Sequence, residues 1–113
     1  MNTFYKAYCR AYQAAFRIVM PLLPWRKPEL IEGENSILKL PSFIKEKNID
    51  KVLIVTDKGL SALGLLDGLK EELTKAGVSY AYYDKTVPNP TIDNIEEALQ
   101  MYHAEGCQGI IAF

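Results

Sequence analysis

After Asp50 the sequence alternates between short apolar runs and helix-length amphipathic segments, an order that few folds accept. Val52-Leu53-Ile54-Val55 is wholly apolar and rich in β-branched residues, as a parallel strand covered on both faces must be. Residues 60–76 repeat leucines at Leu66, Leu69 and Leu73 with Glu71 and Glu72 between them, which predicts one helix closed by Gly77. Residues 78–83 read as a second strand. Thr91 can cap the next helix, with Asp93 in its first turn and Ile92, Ile95, Leu99 and Tyr102 as its buried stripe. Gly106 ends that helix, and Gly109-Ile110-Ile111-Ala112-Phe113 forms a third strand. The strand starts near Val52, Val78 and Gly109 lie 26 and 31 residues apart, long enough for right-handed helical crossovers. The expected fold is therefore α/β, with a βαβαβ parallel sheet.

Such a sheet binds ligands outside the carboxyl ends of its strands. Thr56-Asp57-Lys58-Gly59 follows the first strand directly, and Val87-Pro88-Asn89-Pro90-Thr91 follows the second. Asp57 has two readings. One carboxylate can accept both vicinal hydroxyls of a nucleotide ribose, and its charge repels a 2′-phosphate and so favours NAD over NADP. The same residue can simply cap the following helix. Asn89 is stiffened by a proline on each side and can present its amide to a ligand, although asparagine in turns commonly bonds its own backbone. Lys58 reads as a solvated lysine, and the acids Asp84, Asp93, Glu96 and Glu97 as a solvated edge. Gly59 and Gly64 have P-loop spacing, but Leu65-Leu66 stand where Lys and Ser/Thr are required, and no GxGxxG is present. His103, the only histidine, falls near a helix C-terminus and makes no metal site alone.

Ahead of this core, residues 3–20 are helix-like. At about 100° per residue, Phe4, Tyr8, Ala11, Tyr12, Ala15 and Val19 fall on one side and Lys6, Arg10, Gln13 and Arg17 on the other. No acid precedes Glu29. That pattern suits an anionic membrane surface or a transit peptide, but the reading preferred from sequence is a helix docking its Tyr/Phe face on protein, without a membrane partner. Met20-Pro21 ends the helix. A proline-rich connector follows, then a second helix over 37–48 whose Pro41 is tolerated only in the first turn. Residues 1–48 are thus expected to form a helical extension and connector, and 49–113 a partial α/β domain.

Composition narrows the partners. With 13 Lys+Arg against 14 Asp+Glu the formal charge is −1, and no basic face marks a nucleic-acid module. Cys9 and Cys107 have no metal-ligand spacing and read as free thiols of a reducing cytoplasm. The apolar run 18–25 contains Pro21 and Pro24 and is far short of the ~20 residues that span a bilayer. The 113 residues match about one domain, leaving no room for a second.

The residues from Val52 through Leu60, the stretch from Tyr83-Asp84 to Val87-Pro88-Asn89-Pro90-Thr91, and Gly106 with the strand from Gly109 resemble the N-terminal domain of the iron-containing (group III) alcohol dehydrogenases. The Tyr-rich helix before Pro21 is similar to an extension in some bacterial members. The resemblance implies a three-layer, Rossmann-like, dehydroquinate synthase-like domain, here truncated. It implies that Asp57 contacts the adenosine ribose and that Asn89 lines the site of an NAD or NADP cofactor. Family members continue into a glycine-rich phosphate loop and a helical domain that ligates Fe2+ or Zn2+, which polarises the oxygen of a small alcohol or aldehyde. The expectation is the first part of such an oxidoreductase, compatible with a homo-oligomer, carrying part of the dinucleotide site, with no catalytic residue or metal ligand of its own and no activity alone. The alternative is a stand-alone, non-catalytic α/β nucleotide-binding or receiver-like module. A receiver gathers more carboxylates at the first strand end and a later lysine, and neither is visible.

Overall fold

The computed structural model describes residues 2–113, which fall into two compact units divided between Leu30 and Ile31. The first contains helix α1 (Thr3–Val19), capped by the Asn2 side chain and continued by a 3-10 turn, Met20–Leu22. Pro21 can enter that tighter turn because its missing N–H falls at the turn's start. Trp25 Nε1 donates to the Met20 carbonyl at 2.6 Å, folding the indole back against the helix end.

The second unit holds α2 (Leu40–Glu46), β1 (Lys51–Asp57), α3 (Lys58–Ala62), α4 (Asp67–Lys75), β2 (Ser79–Thr86), α5 (Ile92–Ala104) and β3 (Gly109–Ala112). It begins well before position 49. A 3-10 turn, Ser36–Lys39, leads into α2 with Pro41 in the first turn, and Ile44 joins the core of the sheet. The α2 segment thus belongs to the α/β unit.

The sheet is parallel, in the order β2-β1-β3. Because side chains alternate along a strand, β1 serves two cores. Val52 and Ile54 pack with Leu66, Leu69, Leu73 and Ile44 on one face. Leu53 packs with Tyr83 and Cys107 on the other, against Ala98, Met101 and Tyr102 of α5. A central strand covered on both faces is what the unbroken apolar run requires.

Two helix expectations are corrected. Residues 60–76 do not form one helix: α3 stops at Ala62 and α4 starts at Asp67. Gly64 takes φ +66° between them, a left-handed conformation that glycine enters without the Cβ clash. The break lets Leu66 enter the core while Leu63 and Leu65 stay exposed. The second correction concerns α5. Ile92, Ile95 and Leu99 are 73%, 63% and 52% exposed. The helix approaches the sheet through Ala98, whose small side chain permits contact, and through Met101 and Tyr102.

Candidate functional site

The carboxyl edge of the sheet carries the polar residues singled out from sequence. Asp57, last in β1, has extended backbone geometry and is the N-cap of α3: the Leu60 amide donates to its Oδ1 at 2.8 Å. Both readings of Asp57 are therefore compatible, since the cap uses Oδ1 and leaves Oδ2 outside that bond. A Cβ on Gly59 would lie 3.2 Å from Oδ1, so a side chain there would press on the capping carboxylate. The β1 ladder is irregular between Val55 and Asp57, and Asp57 is set beside Thr86 at the start of the next loop.

That loop holds Asn89 in a left-handed conformation, φ +58°, flanked by Pro88 and Pro90 and exposed. A cleft of about 610 Å³ lies at the two strand ends, lined by Asp57, Lys58, Gly59, Lys85, Pro88, Asn94 and Glu97 among others. The fold thus brings Asp57 and the Pro-Asn-Pro loop to one cleft. Asn89 itself is not part of the lining; its neighbour Pro88 is.

Sequence reasoning missed the polar cluster that fastens this loop. Tyr83 is buried, 2% exposed, and its hydroxyl donates to Glu97 Oε2 at 3.0 Å. Asn94 Nδ2 donates to Tyr83 Oη at 3.3 Å and to the Lys85 carbonyl at 3.4 Å. The Thr91 hydroxyl and the Asn94 amide group close a reciprocal capping box at the head of α5. Burial pushes the Tyr83 hydroxyl above its ordinary pKa; the Asn94 bond opposes that shift, and Glu97 adds to it. Two signals were available: a polar residue three positions after Thr91, and a tyrosine at an inward strand position, whose hydroxyl needs a partner when buried.

The described residues do not fit the metal chemistry that the resemblance implies. Among the described residues no group of three or more His, Cys, Asp or Glu is arranged to hold a metal ion. His103 is exposed near the end of α5, edge-on to Tyr102 with ring centroids 5.6 Å apart.

An open three-stranded parallel sheet, helices on both faces, and an acidic residue ending the central strand define a Rossmann-like α/β domain. Residues 27–113 match the family model described as iron-containing alcohol dehydrogenase. The chain belongs to that family. It is 35% identical over 80 residues to the lactaldehyde reductase of Escherichia coli K12, covering 71% of this chain and 21% of that protein. It is 39% identical over 83 residues to the long-chain primary alcohol dehydrogenase of Thermoanaerobacter ethanolicus, covering 70% and 21%. The crystal structure of a 1,3-propanediol oxidoreductase superposes with a TM-score of 0.67 at 32% identity, over 71% of this chain and 21% of the other. The chain therefore spans about a fifth of the length of these relatives. Their names are those of dehydrogenases and reductases, which does not favour a receiver-like module.

Proposed function

We propose that this chain supplies one wall of the dinucleotide site of an NAD-linked alcohol dehydrogenase or aldehyde reductase. The observation that carries this reading is the position of Asp57, at the carboxyl end of the central strand and on the wall of the cleft shared with the β2–α5 loop. Its carboxylate accepts the vicinal hydroxyls of the adenosine ribose, and its negative charge disfavours the 2′-phosphate of NADP. Asn89, presented by the loop next to the cleft-lining Pro88, orients the cofactor from outside the cleft wall. Held by Asp57 and Asn89, a dinucleotide would supply hydride chemistry toward an alcohol or aldehyde carbon. The role of this chain's residues in that reading is to bind and orient the cofactor. Free thiols at Cys9 and Cys107 support a place in the reducing cytoplasm.

The test is a titration of isotope-labelled chain, followed by amide NMR, with adenosine, 2′-deoxyadenosine and adenosine 2′-phosphate. The reading expects adenosine to shift the amides of Lys58, Gly59 and Leu60 most, the deoxy form less and the 2′-phosphate least. Equal effects of all three would remove the diol contact from Asp57.

A further inference from the structure

The N-terminal unit carries an apolar surface with its own chemical signature. Along α1, Tyr8 and Tyr12 stack with ring centroids 6.3 Å apart, and Tyr12 meets Phe16 at 4.8 Å. Phe4, Tyr8, Tyr12, Phe16 and Val19 are all exposed, and α1 buries none of its residues. The opposite side carries Lys6, Arg10 and Arg17, and the helix holds no acid. Arg26 and Lys27 follow Trp25, so five cations precede the first acid, Glu29, in a chain whose formal charge is −1.

We propose that residues 3–27 form an in-plane anchor for an anionic lipid bilayer, with the aromatic face seated at the headgroup boundary and the cations on lipid phosphates. Three features favour lipid over protein. Tyrosine and tryptophan have an apolar ring and a polar tip, which suits the membrane interface, and Trp25 is held at the helix end by its bond to Met20. A row of cations with no acid among them is complementary to a negatively charged surface. Pairing with α1 of a second copy through the aromatic face leaves the cations of both helices facing outward, and with no acid in either helix the flanking charge pairs of a coiled coil cannot form. The helix has 17 residues, about 25 Å long, and no helix of the described residues is long and apolar enough to cross a membrane, so the anchor lies on the surface.

Trp25 is the only tryptophan, so its fluorescence reports on this segment alone. The whole chain is mixed with vesicles of phosphatidylcholine and phosphatidylglycerol in a roughly 7:3 ratio, or of phosphatidylcholine alone, at low and high salt. The expected result is a blue shift and protection from aqueous quencher on the anionic vesicles only, reversed by high salt. Exchanging Arg10→Glu and Arg17→Glu together should weaken binding at least about tenfold. Equal shifts on neutral vesicles, no shift on anionic ones, or indifference to the charge reversal would overturn the proposal. So would a blue shift that depends on protein concentration without lipid, which would identify a second copy as the occupant. The lipid and salt comparisons use the unaltered chain, so they decide the matter even if the doubly reversed variant loses helix.

Discussion

Asp57 Oδ1 accepts the Leu60 amide proton at 2.8 Å, so the residue proposed to hold a ribose also starts α3. Asparagine caps helices about as well as aspartate, whereas alanine costs about 1 kcal/mol. Asp57→Asn should therefore keep the thermal midpoint while weakening the preference for adenosine over its 2′-phosphate. Asp57→Ala should lose both. Thermal denaturation of the two variants beside the nucleoside titration separates the roles; equal destabilisation would mean that the charge, and not the cap, supports the fold.

On α5, Ile95 and Leu99 border an apolar cavity of about 380 Å³ with Leu53, Val55 and Ile110. Their exposure at 63% and 52% leaves an uncovered apolar surface beside the β3 edge, a combination that promotes association. Ile95→Lys with Leu99→Gln should raise the solubility limit and reduce binding of a hydrophobic dye, at a stability change within about 0.5 kcal/mol. A loss of several kcal/mol in urea denaturation would show that these side chains are buried in solution.

The strands were legible because their signal is local: apolar runs bounded by glycine and polar residues, at crossover spacing. The cap at Thr91 and the stop at Gly77 were legible for the same reason, each requiring one side chain or one backbone conformation. The α5 stripe was misread because periodicity reports which side of a helix is apolar, not whether anything lies over it. Ile92, Ile95 and Leu99 share a side, yet Ala98 and Met101 make the contact with the sheet. At the edge, Asp57 was legible from its position after the strand. Asn94 and Glu97 were not, since their importance comes from the Tyr83 hydroxyl, which reaches them only once β2 and α5 are packed.

The helix break supplies a backbone test. Gly64 holds φ +66°, and a Cβ there would lie 3.0 Å from Asp67 Oδ2, so alanine meets both a strained backbone and a close oxygen. Gly64→Ala should destabilise the domain by about 1 kcal/mol. Guanidinium unfolding provides the measurement. An increase in stability would show that residues 60–76 can run as one continuous helix after all.

The two thiols should differ in reactivity. Burial pushes the Cys107 thiol above its ordinary pKa; nearby Lys51 opposes the shift and Glu105 adds to it. Cys107 is buried and Cys9 half-buried on α1. Since the thiolate is the nucleophile, a disulfide reagent at about pH 8 should modify Cys9 rapidly and Cys107 only slowly, with denaturant removing the difference. Peptide mapping after brief labelling distinguishes them, and equal rates in the folded chain would contradict the packing of Cys107 against Leu53 and Tyr83.

Thr56, one residue before the cleft-lining Asp57, is 2% exposed, and its hydroxyl has no hydrogen-bond partner among the described residues. It lies on the strand face of Val52 and Ile54, the apolar core beneath α4. A buried hydroxyl without a partner carries its desolvation penalty unrelieved, and valine replaces it by a methyl of similar shape. Thr56→Val should leave stability unchanged or raise it by about 1 kcal/mol, while Thr56→Ser, which keeps the hydroxyl and deletes the methyl, should lower it by about 1 kcal/mol. Urea midpoints at constant slope give both numbers. If valine instead destabilised more than serine, the hydroxyl would have to be bonded in solution, and a buried water beside the end of β1 would be the partner to look for.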